Sequence, residues 1–415
     1  MTFAQLSLIG LVALLGPLLA YRKGWHLPVV LGELVAGIII GRTGFGLVDT
    51  TDPVFTFLAD LGFGLVMFVA GTHVPMRDPA LRPALRAGAV RAAVVGVVAA
   101  ALGIAVAQLS GIPHAPVYAV LMASSSAAII LPAIDSLGLG GPHVVGLLPQ
   151  VAIADTLCIV ALPIVIDPAN AVRAAAGALA VLATAAVSGL VLWQLERSGI
   201  RRRVHRVSED RKFALELRIQ LLVLAAFAAL AVATHVSIML AGFAFGLAVK
   251  AVGEPRRLAR QLFALTEGFL GPLFFVWLGA SLNLREFGAH PEMIWLGVAL
   301  AAGAAVAHLA GRLLGQPVSM GLLAAAQLGV PVSAATVGAQ LGVLRPGEAA
   351  AFMLGAIITI AVAVAGGGLA ARARMLTVPD GGARLPRSPL PAGDATAPDG
   401  EGAPGPPAAG ETAPA

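Results

Sequence analysis

A single carboxylate, Asp155, lies inside the otherwise apolar, membrane-length stretch of residues 147–163. An acid at the centre of a membrane helix costs roughly 2.5–3.5 kcal/mol on insertion scales, so its presence needs a reason. The first interpretation is a group that holds a proton or a small cation on a transport pathway, because burial disfavours the charged form of a carboxylate. The alternative is an aspartate that only bonds a neighbouring helix or lies near a helix end.

Two further stretches could supply oxygen ligands to such a cation. In residues 121–132 three serines, among them Ser125 and Ser126, precede a proline, and in residues 327–336 a glycine precedes Pro331. Proline removes a helix donor and clashes with the preceding turn, so both stretches favour broken helices with free carbonyls. For either stretch alone the alternative is packing, because Ser, Gly and Pro are common in membrane helices. Small hard cations prefer the oxygens of carboxylates, hydroxyls and carbonyls.

The composition is typical of an all-α polytopic membrane protein. Of 415 residues, 58% are hydrophobic and 12% are charged, whereas about a quarter of a soluble domain is charged. The formal net charge of +5 is spread over the gaps between apolar runs, so we predict no nucleic-acid partner. The one cysteine, Cys158, excludes a disulfide framework and a thiolate metal site, and we expect it to be a packing residue.

About 20 apolar residues are needed to cross the ~30 Å hydrocarbon layer, and on that scale the sequence predicts thirteen membrane segments. The predicted segments are 3–21, 27–41, 54–74, 87–109, 115–137, 143–166, 169–195, 216–234, 236–250, 259–282, 293–314, 317–342 and 347–371. The segments at 27–41 and 236–250 are short, so they could be tilted or partly re-entrant.

Basic residues are distributed unevenly between the two sides of the predicted membrane. If the N-terminus lies outside, the outer loops receive only Arg42, Arg173, Arg285 and Arg345, so the positive-inside rule predicts N-out, C-in. If segment 169–195 links two six-helix halves, each broken stretch lies in the fifth segment of its half, and the halves have opposite orientation. This pattern predicts an inverted repeat with two broken crossing helices, the best sequence pointer to a transporter site.

Residues 1–375 are therefore predicted to form one transmembrane domain. Residues 376–415 are rich in Pro, Gly and Ala, and they contain almost no large apolar residue that could build a core. We predict a disordered cytoplasmic tail there. No GxGxxG lies on a strand-turn-helix pattern, so we predict no nucleotide-binding domain.

Several motifs resemble the monovalent cation/proton antiporter superfamily of bacteria, most closely its second branch. The stretch LPVVLGELVAGIIIG, which begins at Leu27, resembles the family signature lPxvlGElxAGxxxGP. The resemblance spans residues 5–372 and continues in LGFGLVMFVAG at 61–71, in the Ser125-Ser126 pair and in PLFFVWLGASL at 272–282. It implies an inverted-repeat transporter in the bacterial inner membrane, not an enzyme. We expect a homodimer without a cofactor.

The family pattern also assigns roles to individual residues. Members carry an Asp-Asp, Asn-Asp or similar pair on the helix that corresponds to segment 143–166. The second residue of the pair, here Asp155, carries the ion and the proton. The first acid position is Ala154, which makes one-for-one exchange the expected stoichiometry. The family's basic residue falls at His308, which would pair with Asp155 or titrate; the alternative is a neutral imidazole bonded to a helix carbonyl. Arg312, one turn further on, is expected to anchor a helix end, and Glu33 to be structural.

The function predicted from these observations is secondary active exchange of a monovalent cation, Na⁺ first and K⁺ second, for protons. Proton and cation would exclude each other at Asp155, and alternating exposure of that site would make the exchange obligatory. The rival functions are a potassium efflux antiporter, which in this family usually carries a nucleotide-binding domain, and a sodium-coupled symporter of organic anions. A wider rival is a membrane sensor that transports nothing.

Overall fold

A computed structural model describes residues 1–21, 29–73, 82–200, 207, 211, 213–234, 236–253 and 256–373. The chain divides into two units, Met1–Ala383 and Arg384–Ala415. The second unit and the tail predicted at 376–415 lie outside the described residues.

The regular elements of the described residues are all helices. Those of the first half are α1 (Phe3–Ala13), α2 (Leu15–Ala20), α3 (Val29–Ile40), α4 (Pro53–His73), α5 (Arg82–Ser110), α6 (Ala115–Ala123), α7 (Ala127–Ser136), α8 (Pro142–Ile166) and α9 (Ala171–Arg197). Those of the second half are α10 (Leu215–Ala233), α11 (Ile238–Val252), α12 (Arg256–Leu265), α13 (Gly271–Ser281), α14 (Glu286–Ala289), α15 (Glu292–Leu309), α16 (Val318–Ala324), α17 (Gly329–Leu341) and α18 (Glu348–Arg372). Two 3-10 turns, Pro168–Asn170 and Ala310–Leu314, and one π-helical turn, Thr266–Leu270, adjoin them.

The thirteen predicted membrane segments are confirmed. Ten helical spans in the described residues are long and apolar enough to cross a membrane, and three shorter apolar helices complete the set. The two segments predicted to be short are the helices α3, of 12 residues, and α11, of 15 residues. At 1.5 Å per residue these helices are only about 18 and 22 Å long, so they are shorter than the hydrocarbon layer.

Most of the helices pack into two bundles. Helices α1–α4, α11 and α13 form the first, helices α5–α8 and α15–α18 form the second, and α9 and α10 pack on α11. Glycines bring helix backbones of the first bundle into direct contact: a Cβ on Gly246 of α11 would collide with the Phe68 carbonyl of α4, and one on Gly37 of α3 with the Val276 carbonyl of α13. Such close approach gives helices in lipid their dispersion contacts, since no hydrophobic effect drives them together there.

Both stretches predicted to be broken are broken, but each break precedes the proline that suggested it. Residues 124–126, the three serines, are non-helical between α6 and α7, and residues 325–328 separate α16 from α17. Pro331 is the third residue of α17. The first four N–H groups of a helix have no partner within it, so a proline costs nothing at that position. Pro331 therefore lies in the first turn of the second half-helix and not in the gap.

Candidate functional site

The two unwound stretches cross and are joined by hydrogen bonds. The Ser125 hydroxyl donates to the Ala324 carbonyl at 2.5 Å, and the Ser126 N–H donates to the Ala326 carbonyl at 2.8 Å. Ser125 and Ser126 are both buried. The crossing therefore joins a serine-containing stretch of the first half of the chain to the last turn of α16 in the second half.

Asp155 lies at this crossing. It belongs to α8, only 7% of it is exposed, and its Oδ2 accepts a hydrogen bond of 3.2 Å from the N–H of Ala127, the first residue of α7. Pro149 and Pro163 lie on either side of it within α8. The structure therefore brings Asp155 to the start of the half-helix that follows the three serines.

The polar groups around Asp155 suit an exchange between a proton and a cation. The N-terminus of α7 carries positive partial charge, which offsets part of the cost of a buried carboxylate. The proton of the Ser125 hydroxyl is already donated to Ala324, so the lone pairs of its oxygen remain available as a ligand. The hydroxyl and the carbonyls belong to the two crossing stretches, and the carboxylate is bonded to the first residue of the half-helix that follows one of them. Among the described residues no basic side chain is bonded to Asp155.

The two candidates for the family's basic residue are not joined to Asp155. His308 is 1% exposed, and its Nδ1 lies 2.9 Å from the carbonyl of Ala304 on its own helix, so that the ring can donate to this helix carbonyl. Within the described part of the chain its Nε2 has no hydrogen-bond partner. Arg312 is exposed in the 3-10 turn that ends α15, as expected of a helix-end anchor.

Of the remaining predicted residues, Ala154 is next to Asp155 in sequence and Glu33 lies in the other bundle. Ala154 is buried in α8. Glu33 belongs to the first bundle: it is 4% exposed, and its Cγ lies 2.8 Å from the point that a Cβ on Gly16 would occupy. Glu33 therefore packs against α2, and no hydrogen bond or ion pair among the described residues links it to Asp155.

A cavity of about 210 Å³ lies further along α8, past Asp155 in the direction of the C-terminus of the helix. Leu162 and Pro163 of α8 line it, together with Ser237 and Ser333. The hydroxyls of these two serines are 2.9 Å apart, and both residues are buried. Leu162 follows Asp155 by seven residues, which is about 10 Å along a helix. The cavity thus extends to within roughly two helical turns of the carboxylate.

Sequence reasoning missed one side chain at the crossing, that of Gln327. Its Nε2 donates to the Leu121 carbonyl at 2.6 Å. Gln327 is the first residue of the stretch predicted to be broken, but the prediction rested on the glycine and the proline and gave the glutamine no role. Its polarity within an apolar run was the available signal.

Comparison with known proteins decides the family. The model of the sodium/hydrogen exchanger transmembrane family matches residues 10–374. The chain belongs to the sodium/hydrogen exchanger family. This confirms the resemblance to the cation/proton antiporter superfamily, whose members are transporters and not enzymes.

One curated protein and one solved structure show how far the likeness of this exchanger to known proteins extends. A protein named putative Na(+)/H(+) antiporter YjbQ, from Bacillus subtilis (strain 168), is 24% identical over an alignment of 382 positions that covers 86% of this chain and 61% of that protein. The chain thus spans about three fifths of that relative's length. The structure of the sodium proton antiporter MjNhaP1 from Methanocaldococcus jannaschii at pH 8 matches with a TM-score of 0.60 at 17% identity, covering 88% of this chain and 96% of that one. This likeness shows a shared fold.

Proposed function

We propose that this exchanger family member is a secondary active antiporter that exchanges Na⁺ for protons by competition at Asp155. One observation carries the proposal: a buried carboxylate accepts a hydrogen bond from the start of α7, where two unwound stretches cross. The name of the Bacillus subtilis relative supports Na⁺ as the first ion to test, with K⁺ second. The proton and the cation are substrates, and no cofactor is needed.

The competition follows from the chemistry of the site. Protonated Asp155 is neutral and fits a buried environment, whereas ionised Asp155 needs a compensating positive charge. A monovalent cation supplies that charge and takes ligands from Asp155, the Ser125 and Ser126 oxygens and the carbonyls of the unwound stretches. Because one carboxylate serves both ions, release of the proton and binding of the cation are coupled.

Alternating exposure of the site converts this competition into exchange. The cavity beyond Asp155 supports an access route on one side, and the bonded hydroxyls of Ser237 and Ser333 lie in its lining. The second bundle carries all the groups at the crossing, whereas Ser237 caps the start of α11 in the first bundle. Movement of one bundle against the other would therefore open that contact while the site itself stays intact.

The orientation, oligomeric state and repeat organisation of the transporter are proposed from the sequence. We propose an N-out, C-in topology in the bacterial inner membrane, a homodimer and two inverted six-helix repeats. The asymmetry of basic loop residues supports the orientation, because cytoplasmic loops carry an excess of Lys and Arg.

Flux in proteoliposomes tests the function. A pH-sensitive dye inside acid-loaded vesicles should recover its fluorescence when Na⁺ is added outside, in the absence of any organic solute. Adding K⁺ and Li⁺ in parallel ranks the ions. A potassium efflux antiporter would respond to K⁺ and hardly to Na⁺, a symporter would need the organic anion, and a protein that gives no response to any cation would contradict antiport.

A further inference from the structure

We propose that Gln327 is a positioning residue that sets the affinity of the cation site by clamping the two unwound stretches together. The inference rests on the proposed function, because the affinity in question is that of the cation bound at Asp155. Gln327 lies in the stretch 325–328 between α16 and α17, and it is 4% exposed. Its Nε2 donates to the Leu121 carbonyl at 2.6 Å, across 206 residues of sequence.

The contacts at the crossing are reciprocal. Gln327, from the second unwound stretch, donates to a carbonyl in the last turn of α6. Ser125, from the first, donates to the Ala324 carbonyl at the last residue of α16. Each unwound stretch therefore sends one side chain to the C-terminal end of the other half-helix. Replacing either Gln327 or Ser125 removes one of these two hydrogen bonds.

The Leu121 carbonyl connects Gln327 to the serines that are proposed to bind the cation. The last carbonyls of a helix have no partner within it and carry negative partial charge. Leu121 also accepts from the Ser124 hydroxyl at 2.8 Å and from the Ser124 N–H at 3.1 Å. Gln327 therefore holds the carbonyl that fixes the start of the serine stretch, and through it the spacing of Ser125 from Asp155. We expect loss of the amide donor to weaken cation binding and leave the proton carrier in place.

Gln327→Glu separates this role from a merely structural one. The two side chains have the same shape, but a glutamic acid can donate to the Leu121 carbonyl only while it is protonated, and once ionised it sets a carboxylate against a carbonyl. The measured quantity is the KM for Na⁺ of the variant divided by that of the wild type, from pH 6 to pH 8.5. We expect this ratio to rise about tenfold with pH, because one buried hydrogen bond is lost when the glutamate ionises. The maximal rate should change little.

The sign of the change excludes a purely electrostatic effect. An ionised glutamate that merely attracted the cation would lower the ratio at high pH, and that result would overturn the proposal. So would a ratio that stays flat while the melting temperature falls, because it would indicate a structural role only. Gln220→Glu is the matched control: Gln220 is buried on α10, away from the crossing, and its ratio should not depend on pH.

Gln327→Asn provides the second variant if the glutamate variant does not fold. Its amide is one methylene too short to reach Leu121, so we expect a raised KM at every pH, and an unchanged KM would overturn the proposal. Stabilisation of the solubilised protein by Na⁺ reports cation affinity without transport. A wild type that is stabilised by Na⁺ but moves no protons would refute antiport alone, and the Gln327 variants would still test the clamp by their Na⁺ dependence of melting.

Discussion

Asp155→Asn is expected to reduce cation-driven proton movement to the level of protein-free vesicles. Asp155 is the one acid bonded at the crossing among the described residues, so the change removes the charge proposed to alternate between proton and cation. The asparagine oxygen can still accept from the Ala127 N–H, which the carboxylate binds at 3.2 Å, so the fold should persist. Proteoliposome flux measures the loss, and the melting temperature of the solubilised protein shows that the variant is folded.

Glu33→Gln is the matched control for this prediction. Glu33 is also a buried membrane carboxylate, at 4% exposure, but it packs against α2 in the first bundle. The same change from acid to amide should leave exchange intact there. Wild-type exchange by the Asp155→Asn protein would sink the proposed mechanism, and loss of exchange in the Glu33→Gln protein would indicate a second carrier.

Exchange is expected to be electroneutral, so an imposed membrane potential should leave its rate nearly unchanged. The residue before Asp155 is Ala154, and with one acid at the crossing the site can release at most one proton for each monovalent cation. If one net charge moved per cycle, 100 mV would change the driving force by about 2.3 kcal/mol, or roughly fifty-fold in the ion gradient at equilibrium. Rates at imposed potentials of opposite sign, set with valinomycin and K⁺, measure this directly.

A rate that follows the potential would contradict electroneutrality and would make His308→Ala the informative variant. His308 is fully buried, and its Nε2 is unpartnered among the described residues, so it could hold a second proton. Loss of voltage dependence in that variant would identify His308 as the second carrier. Persistence of voltage dependence would point instead to another membrane carboxylate, such as Glu33, or Glu267 in the π-helical turn Thr266–Leu270.

The membrane spans could be predicted from sequence because each is a local property. Apolar length decides whether a helix can cross the hydrocarbon layer, and ten of the thirteen segments are long enough among the described residues. The other three were found because their residues are apolar. The breaks were less well placed. Proline was taken as their cause, whereas α7 and α17 begin ahead of their prolines. Pro331 is harmless in the first turn of α17, whereas Pro132 is the sixth residue of α7, so a proline marks the neighbourhood of a break and not its position.

The site was predictable only in part, for a physical reason. Asp155 was identified because a carboxylate in an apolar run is costly wherever the chain folds. The bonds from Ser125 to Ala324 and from Gln327 to Leu121 join residues about 200 positions apart, and no local pattern encodes such a pairing. For His308 both interpretations agreed with the sequence, and the structure adds its bond to the Ala304 carbonyl. Its role in transport stays a prediction.

Proton release on cation binding is the most direct test of competition at Asp155. Na⁺ is added to the solubilised protein in a weakly buffered solution near neutral pH, with choline chloride as the control for ionic strength. Competition predicts that Na⁺ displaces a measurable amount of protons from the wild type, up to one per protein, and none from the Asp155→Asn protein. Calorimetric binding of Na⁺ by the wild type without any proton release would contradict the account.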